Sequence, residues 1–201
     1  MSYWTHRRPV RRRRSVDIDE TACASVSLLD EGGPRALTLR AVARRLGVAP
    51  ASLYSRFETA DDLFDLALDT ALAEDGEMIR ALGDADVVPL MLTWYRHLLR
   101  HRWACQVIAL RPPRGPAYLR LSDRLCELLV EAGVTDPLGV AYTLSNLVVG
   151  SAATAGLGDE EAAAPVDPAV APTYARLHRE RGHADPEASL LAGLEALRTR
   201  I

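Results

Sequence analysis

The sequence predicts an all-α chain. Apolar residues recur at three- and four-residue spacing, no stretch alternates with period two for long, and Ala, Leu, Arg and Glu dominate. With 201 residues, 48% of them hydrophobic, the chain is long enough to bury one large core or two small ones.

The elements follow in order. Ser15 is the expected cap of the first helix, with Asp17, Asp19 and Glu20 in the first turns at its positive end. Gly32 and Gly33 supply a left-handed stop, and Ala22, Val26 and Leu29 lie along one face. Thr38 caps a second helix in which Leu39, Val42, Ala43 and Leu46 fall at i, i+3, i+4 and i+7. Gly47 breaks it, and Pro50 opens a third helix that ends near Phe57. Thr59 caps a long fourth helix, with Asp62 three residues on approximating a capping box. Its inner face carries Leu63, Leu66, Ala67 and Thr70. Beyond Gly83 the pattern predicts helices over residues 87–101, 105–110, 118–132, 137–156, 170–181 and 186–198. The Ala/Pro-rich stretch 160–172 reads as a loop.

Charge is distributed unevenly. The net charge is −3, yet residues 1–57 hold eleven Arg against five acids, and the rest is strongly acidic. A basic head on an acidic body suits docking one end on phosphate. No apolar run approaches the ~18–20 residues that span a bilayer, so no membrane association is expected. Residues 1–15 are basic without an apolar stretch behind them, which argues against a secretory leader. Cys23, Cys105 and Cys126 are scattered without metal-ligand spacing and read as reduced thiols of a cytoplasmic protein. There is no Gly-rich phosphate loop, no metal-spaced His/Cys set and no framed nucleophile. No enzyme activity, cofactor or metal site is expected.

The stretch from Leu37 to Phe57 reads L-T-L-R-A-V-A-R-R-L-G-V-A-P-A-S-L-Y-S-R-F. It is two short helices joined at a glycine, the second opening with small residues. Ala49, Ala51 and Ser52 allow close approach to DNA, and Arg40, Arg44, Arg45 and Arg56 place charge around the same edge. Periodicity alone fits a plain helical hairpin with a solvated arginine face equally well. The residue pattern, followed by Asp61-Asp62-Leu63-Phe64, strongly resembles the DNA-binding domain of the tetracycline-repressor (TetR) family. The resemblance implies that Arg40 reaches a base edge. It makes Thr38, Tyr54 and Arg56 backbone-phosphate contacts and turns Pro50, Ala51, Ser52 and Ser55 toward the major groove. Two positions depart from the family pattern: Ala60 stands where a phosphate-contacting Lys is usual, and Ala49 where a capping Ser is frequent. The arginines at positions 7, 8 and 11–14 form an arm suited to a minor groove or to phosphates.

Further on, Trp94, His97, Val107, Arg111, Tyr118, Tyr142 and Asn146 are candidate ligand-pocket residues, although each alone also fits a core or half-exposed helix position. Residues 100–112 and 141–156 resemble the C-terminal domain of the tetracycline repressors. Those sensors hold a magnesium-carried drug through a histidine where this chain has Val107, so an apolar or aromatic effector is expected instead. The helices over 137–156 and 186–198, apolar on more than one face, are candidates for a homodimer interface. The expected organisation is a basic arm (1–15), a three-helix helix-turn-helix DNA-binding domain (16–60) and a helical ligand-binding and dimerisation domain (61–201). The expected partners are double-stranded operator DNA, a second copy and a small-molecule effector. The alternative is a helical interaction module with weak, non-specific DNA binding.

Overall fold

The computed structural model describes residues 2–5, 16–181 and 185–198, and every regular element among them is helical. The arginines at 7–14 and the expected cap Ser15 lie outside the described residues. Asp17 caps α1 (Ile18–Gly32) instead, its Oδ1 accepting from the N–H groups of Asp19 at 2.7 Å and Glu20 at 3.1 Å. Gly33, at φ 66°, donates its N–H to the Leu29 carbonyl and ends the helix. A 3-10 turn over Pro34–Ala36 leads to α2 (Leu39–Arg45), where the Thr38 hydroxyl accepts from the Ala41 N–H at 3.0 Å. Gly47, also at φ 66°, turns the chain into α3 (Pro50–Tyr54).

α4 (Ala60–Ala73) starts at Thr59, whose hydroxyl accepts from Asp61 N–H. The expected capping box closes one residue earlier: Asp62 Oδ2 accepts from Glu58 N–H at 2.7 Å. α4 is also shorter than the long fourth helix expected. It stops at Ala73, and Asp75 caps a separate α5 (Gly76–Asp84) by accepting from the Glu77 and Met78 N–H groups. Apolar periodicity runs on through both helices and hides the break; Asp75 followed by Gly76 was its sequence signal. α6 (Val87–Arg100), α7 (Trp103–Leu110), α8 (Pro116–Glu131) and α9 (Pro137–Thr154) follow. α10 (Gly158–Ala163) occupies the start of the stretch expected as a loop, where Glu and Ala favour helix over the later prolines. α11 (Pro172–Arg181) and α12 (Pro186–Arg198) complete the described chain.

One continuous apolar core joins these helices. It runs from Val42, Leu53 and Phe57 through Leu63 and Leu72 to Met78, Leu98, Leu125 and Val148. α4 is packed on α1 and on α8, so it belongs to both ends of that core. α9 lies against α6 and α8, with α12 against α6 and α9.

α9 departs from expectation. With its trailing turn, Pro137–Leu157 is 21 residues long with mean hydropathy 1.3, long and apolar enough to cross a bilayer by length and composition. Thr143, Ser145, Asn146 and Ser151 interrupt it, so no uninterrupted run shows in the sequence, while the average over the helix remains apolar. Only 22% of its most apolar window is buried, and Leu138 and Tyr142 stand 56% and 60% exposed.

Side chains from α1, α4 and α5 tie the two ends of the molecule together. Asp30 of α1 accepts from Trp103 Nε1 at 2.7 Å and contacts His101 Nδ1 at 2.8 Å. Asp69 of α4 accepts from the Ala117 N–H at 2.7 Å and the Tyr118 N–H at 3.3 Å. Asp75 receives Arg100 and, at 2.8 Å, Nδ1 of the fully buried His97. Burial lowers the His97 pKa from 6.5 to about 4 against the pull of Asp75, so the imidazole is neutral at neutral pH and donates to the carboxylate. Burial opposes the Asp75 charge too, yet hydrogen bonds from His97 and Arg100 hold its pKa below the usual carboxylate value.

Two outcomes are expected from this packing. Gly47→Ala meets open space but a left-handed backbone, and should lower unfolding free energy by about 1–2 kcal/mol in urea titrations. His97 titrates near 6.5 when unfolded and near 4 when folded, so on acidification the unfolded chain takes up the proton first. Its contribution is therefore complete above pH 6.5 and is lost as pH falls toward 4, at up to about 1.4 kcal/mol per pH unit. Urea unfolding at pH 7 and pH 4.5 should show His97→Asn losing less stability than the parent over that interval; equal losses would assign the effect elsewhere.

Candidate nucleic-acid interface

α2 and α3 are anchored from beneath and open above. Val42, Ala43, Leu53 and Phe57 are fully buried, so the orientation of the pair is set by the core under α1 and α4. The turn between them is closed by backbone bonds from Gly47 N–H to Arg44 and from Val48 N–H to Ala43. On the outer surface Thr38, Arg40, Arg44, Pro50, Ala51, Ser52, Tyr54 and Ser55 are all exposed. α3 is short and its first turn presents only Pro50, Ala51 and Ser52, so another backbone can approach it closely. Ala49 at its cap makes no side-chain hydrogen bond, as expected of an alanine there.

The arginines of this surface have different fates. Arg40 and Arg44 are exposed and have no ion pair among the described residues, which leaves two full cationic groups beside α3. Arg45 makes a fork to Glu31 of α1, at 3.0 and 2.6 Å, and so helps hold α2 to α1. Arg56 is half-buried and its Nη1 donates to the Val16 carbonyl at 2.8 Å, fastening the end of α3 to the entry of α1. The hydroxyls are partly engaged as well. Ser55 donates to the Ser52 carbonyl at 2.8 Å, while Thr38 uses an acceptor lone pair for its cap and keeps its proton for an outside acceptor.

The seven candidate pocket residues do not converge. Trp94, His97, Val107 and Tyr118 lie in the core, with the Trp94 and Tyr118 rings edge-to-face at 6.4 Å. Three of their polar atoms, Trp94 Nε1, His97 Nε2 and Tyr118 Oη, are buried; the first and last interact with each other, while His97 Nε2 has no hydrogen-bond partner among the described residues. Arg111 is elsewhere, on the α7–α8 connector, where it pairs with Asp61 at 2.5 Å and Asp65 at 3.4 Å. Tyr142 and Asn146 are on the exposed side of α9. A groove of about 620 Å³ opens between α6, α8, α9 and α12, bordered by Val87, Leu128, Leu144 and Leu194, and includes none of the seven. The residues that the sequence reading passed over are two acids of α4, Asp65 and Asp69. Asp61, Asp65 and Asp69 recur at i, i+4 and i+8, a spacing that places them on one helix face.

Comparison with known proteins agrees with this architecture. Residues 24–67 match the family described as bacterial regulatory proteins, tetR family, and residues 88–195 match the tetracyclin repressor-like C-terminal domain. An HTH-type transcriptional regulator of Saccharopolyspora erythraea is 35% identical over 152 residues, covering 72% of this chain and 64% of its own. The HTH-type transcriptional repressor DrrR1 of Streptomyces coeruleorubidus is 32% identical over 155 residues, covering 74% and 57%. The chain thus spans less than two thirds of these two curated relatives. The crystal structure of the Streptomyces coelicolor protein ActR in complex with actinorhodin superposes with a TM-score of 0.75 at 22% identity, covering 92% of this chain and 95% of that one. Both halves of the chain carry the match, and it belongs to the TetR family of bacterial regulatory proteins.

Proposed function

We propose that the protein is a cytoplasmic, dimeric transcriptional repressor, like its relative DrrR1, that binds a palindromic operator and is released from it by a small apolar or aromatic effector. The observation that carries the reading is the surface of α2 and α3: small residues on α3 flanked by two exposed arginines without an ion pair among the described residues, all on a buried base. In this reading residues 16–60 bind DNA. Arg40 reads a base edge, Thr38 and Tyr54 meet phosphates, and Pro50, Ala51, Ser52 and Ser55 face the major groove. Arg56 stands at the margin of the contact, with its bond to Val16 positioning α3.

Residues 61–201 bind the effector and dimerise. The exposed apolar face of α9, with Leu138 and Tyr142, and Leu191 of α12 suit burial against a second copy, which also supplies the second recognition helix that a palindrome needs. In this reading the effector enters among Trp94, His97, Val107 and Tyr118, where the buried His97 Nε2, without a hydrogen-bond partner among the described residues, favours a guest that bonds it. An aromatic guest is compatible with the fold, since ActR holds actinorhodin. Effector binding would tilt α4 and change the separation of the two recognition helices. A shift of a few kcal/mol toward the non-binding dimer is enough to clear an operator.

Selection of bound sequences from a random duplex pool tests the reading. A palindrome with half-sites about one helical turn apart is expected. Arg40→Ala should then lower affinity by about 1–3 kcal/mol and relax one base position. Recovery of no motif, with binding that vanishes as salt rises, would support the interaction-module alternative.

A further inference from the structure

We propose that Asp65 and Asp69 of α4 are positioning residues that lock the recognition unit to the α7–α8 connector, and that Ser2 and Tyr3 form a second lock on the same Asp65 carboxylate. The inference rests on the DNA-binding reading above and assigns its regulation to particular side chains.

The connector runs from Arg111 to Gly115 and has few holds of its own. Arg111 is extended, and Pro112 and Pro113 stiffen the next two residues. α8 opens at Gly115 with no side-chain cap from its own chain segment. Its first free N–H groups, of Ala117 and Tyr118, are satisfied instead by Asp69 of α4. The fit leaves no slack: a Cβ on Gly115 would lie 2.1 Å from Asp69 Oδ1. One helical turn earlier, Asp65 meets Arg111 Nη1 at 3.4 Å, and Arg111 Nη1 also donates to the Asp61 carbonyl at 3.0 Å. The connector is therefore held along two turns of α4 at once. A stiff segment so held moves α4 with it, and α4 begins three residues after Phe57 closes the recognition unit.

The amino terminus adds the second lock. Ser2 Oγ and Tyr3 N–H both donate to Asp65 Oδ2 at 2.8 Å, on the oxygen not used by Arg111. Tyr3 is buried, and its ring lies 5.8 Å from that of Phe57. Asp65 thus joins three things: the amino terminus, the connector of the effector domain and the helix that follows the recognition helix. Its side chain is only 3% exposed, so it requires these partners.

The test uses full-length protein, the selected operator and duplexes with half-sites moved one or two base pairs closer or farther. The parent should prefer one spacing by roughly tenfold. Arg111→Met and Asp65→Asn should each flatten that preference severalfold without changing the salt dependence, since no phosphate contact is lost. The double variant should be no flatter than either single one, and Tyr3→Ala should flatten it in part. Equal loss of affinity at every spacing, or a preference unchanged in a folded variant, overturns the proposal. If the parent selects no operator, the DNA-binding reading fails and hydrogen exchange decides the locks. Arg111→Met should speed exchange in α3 and α4 and leave α9 unchanged, and unaltered exchange in α3 refutes them.

Discussion

Three aspartates of one helix, Asp62, Asp65 and Asp69, are almost wholly buried, and the molecule is arranged around satisfying them. A buried carboxylate costs several kcal/mol unless hydrogen bonds replace its water. Each of the three draws in a different piece of chain. Asp62 takes the Glu58 N–H just ahead of α4, Asp65 takes the amino terminus and Arg111, and Asp69 takes the head of α8. Apolar packing alone tolerates sliding of one helix on another. Directed bonds at three successive turns do not, and they give α4 a defined angle to both ends of the core.

The two ends then serve different demands. Beneath α2 and α3 the core is complete, with Val42, Leu53 and Phe57 fully covered, and the outer surface carries small residues and exposed arginines. The interior between α6 and α8 is the opposite case. It is filled by core side chains and encloses His97, whose neutral state burial enforces and whose Nε2 has no hydrogen-bond partner among the described residues. α9 presents a third condition, an apolar face open to its surroundings. These three regions thus differ in charge, polarity and exposure.

Much of the fold was legible in the chain itself. Thr38, Gly47, Pro50 and Thr59 mark their helix ends in place because caps, left-handed glycines and first-turn prolines act within four residues. The misplaced elements fail for equally local reasons. Ser15 and Asp17 are both good caps two residues apart, and the structure uses Asp17. The α4–α5 break is marked by an aspartate and a glycine inside an unbroken apolar rhythm. The candidate pocket was less legible, since aromatic and polar residues on α6, α8 and α9 look alike in sequence whether they face the core, the connector or the outside.

The sequence by itself determined the all-α class, the order of most helices and the two-helix unit that identifies the family, because helix periodicity and capping are set by near neighbours. Only the tertiary structure decided what the charged residues do. Arg45 finds Glu31 fourteen residues away, Arg56 finds Val16 at forty, and Arg111 finds Asp65 at forty-six. Whether an arginine stays an exposed cation or becomes a strut inside the protein depends on which carboxylate or carbonyl folding brings beside it, and no local pattern encodes that distance.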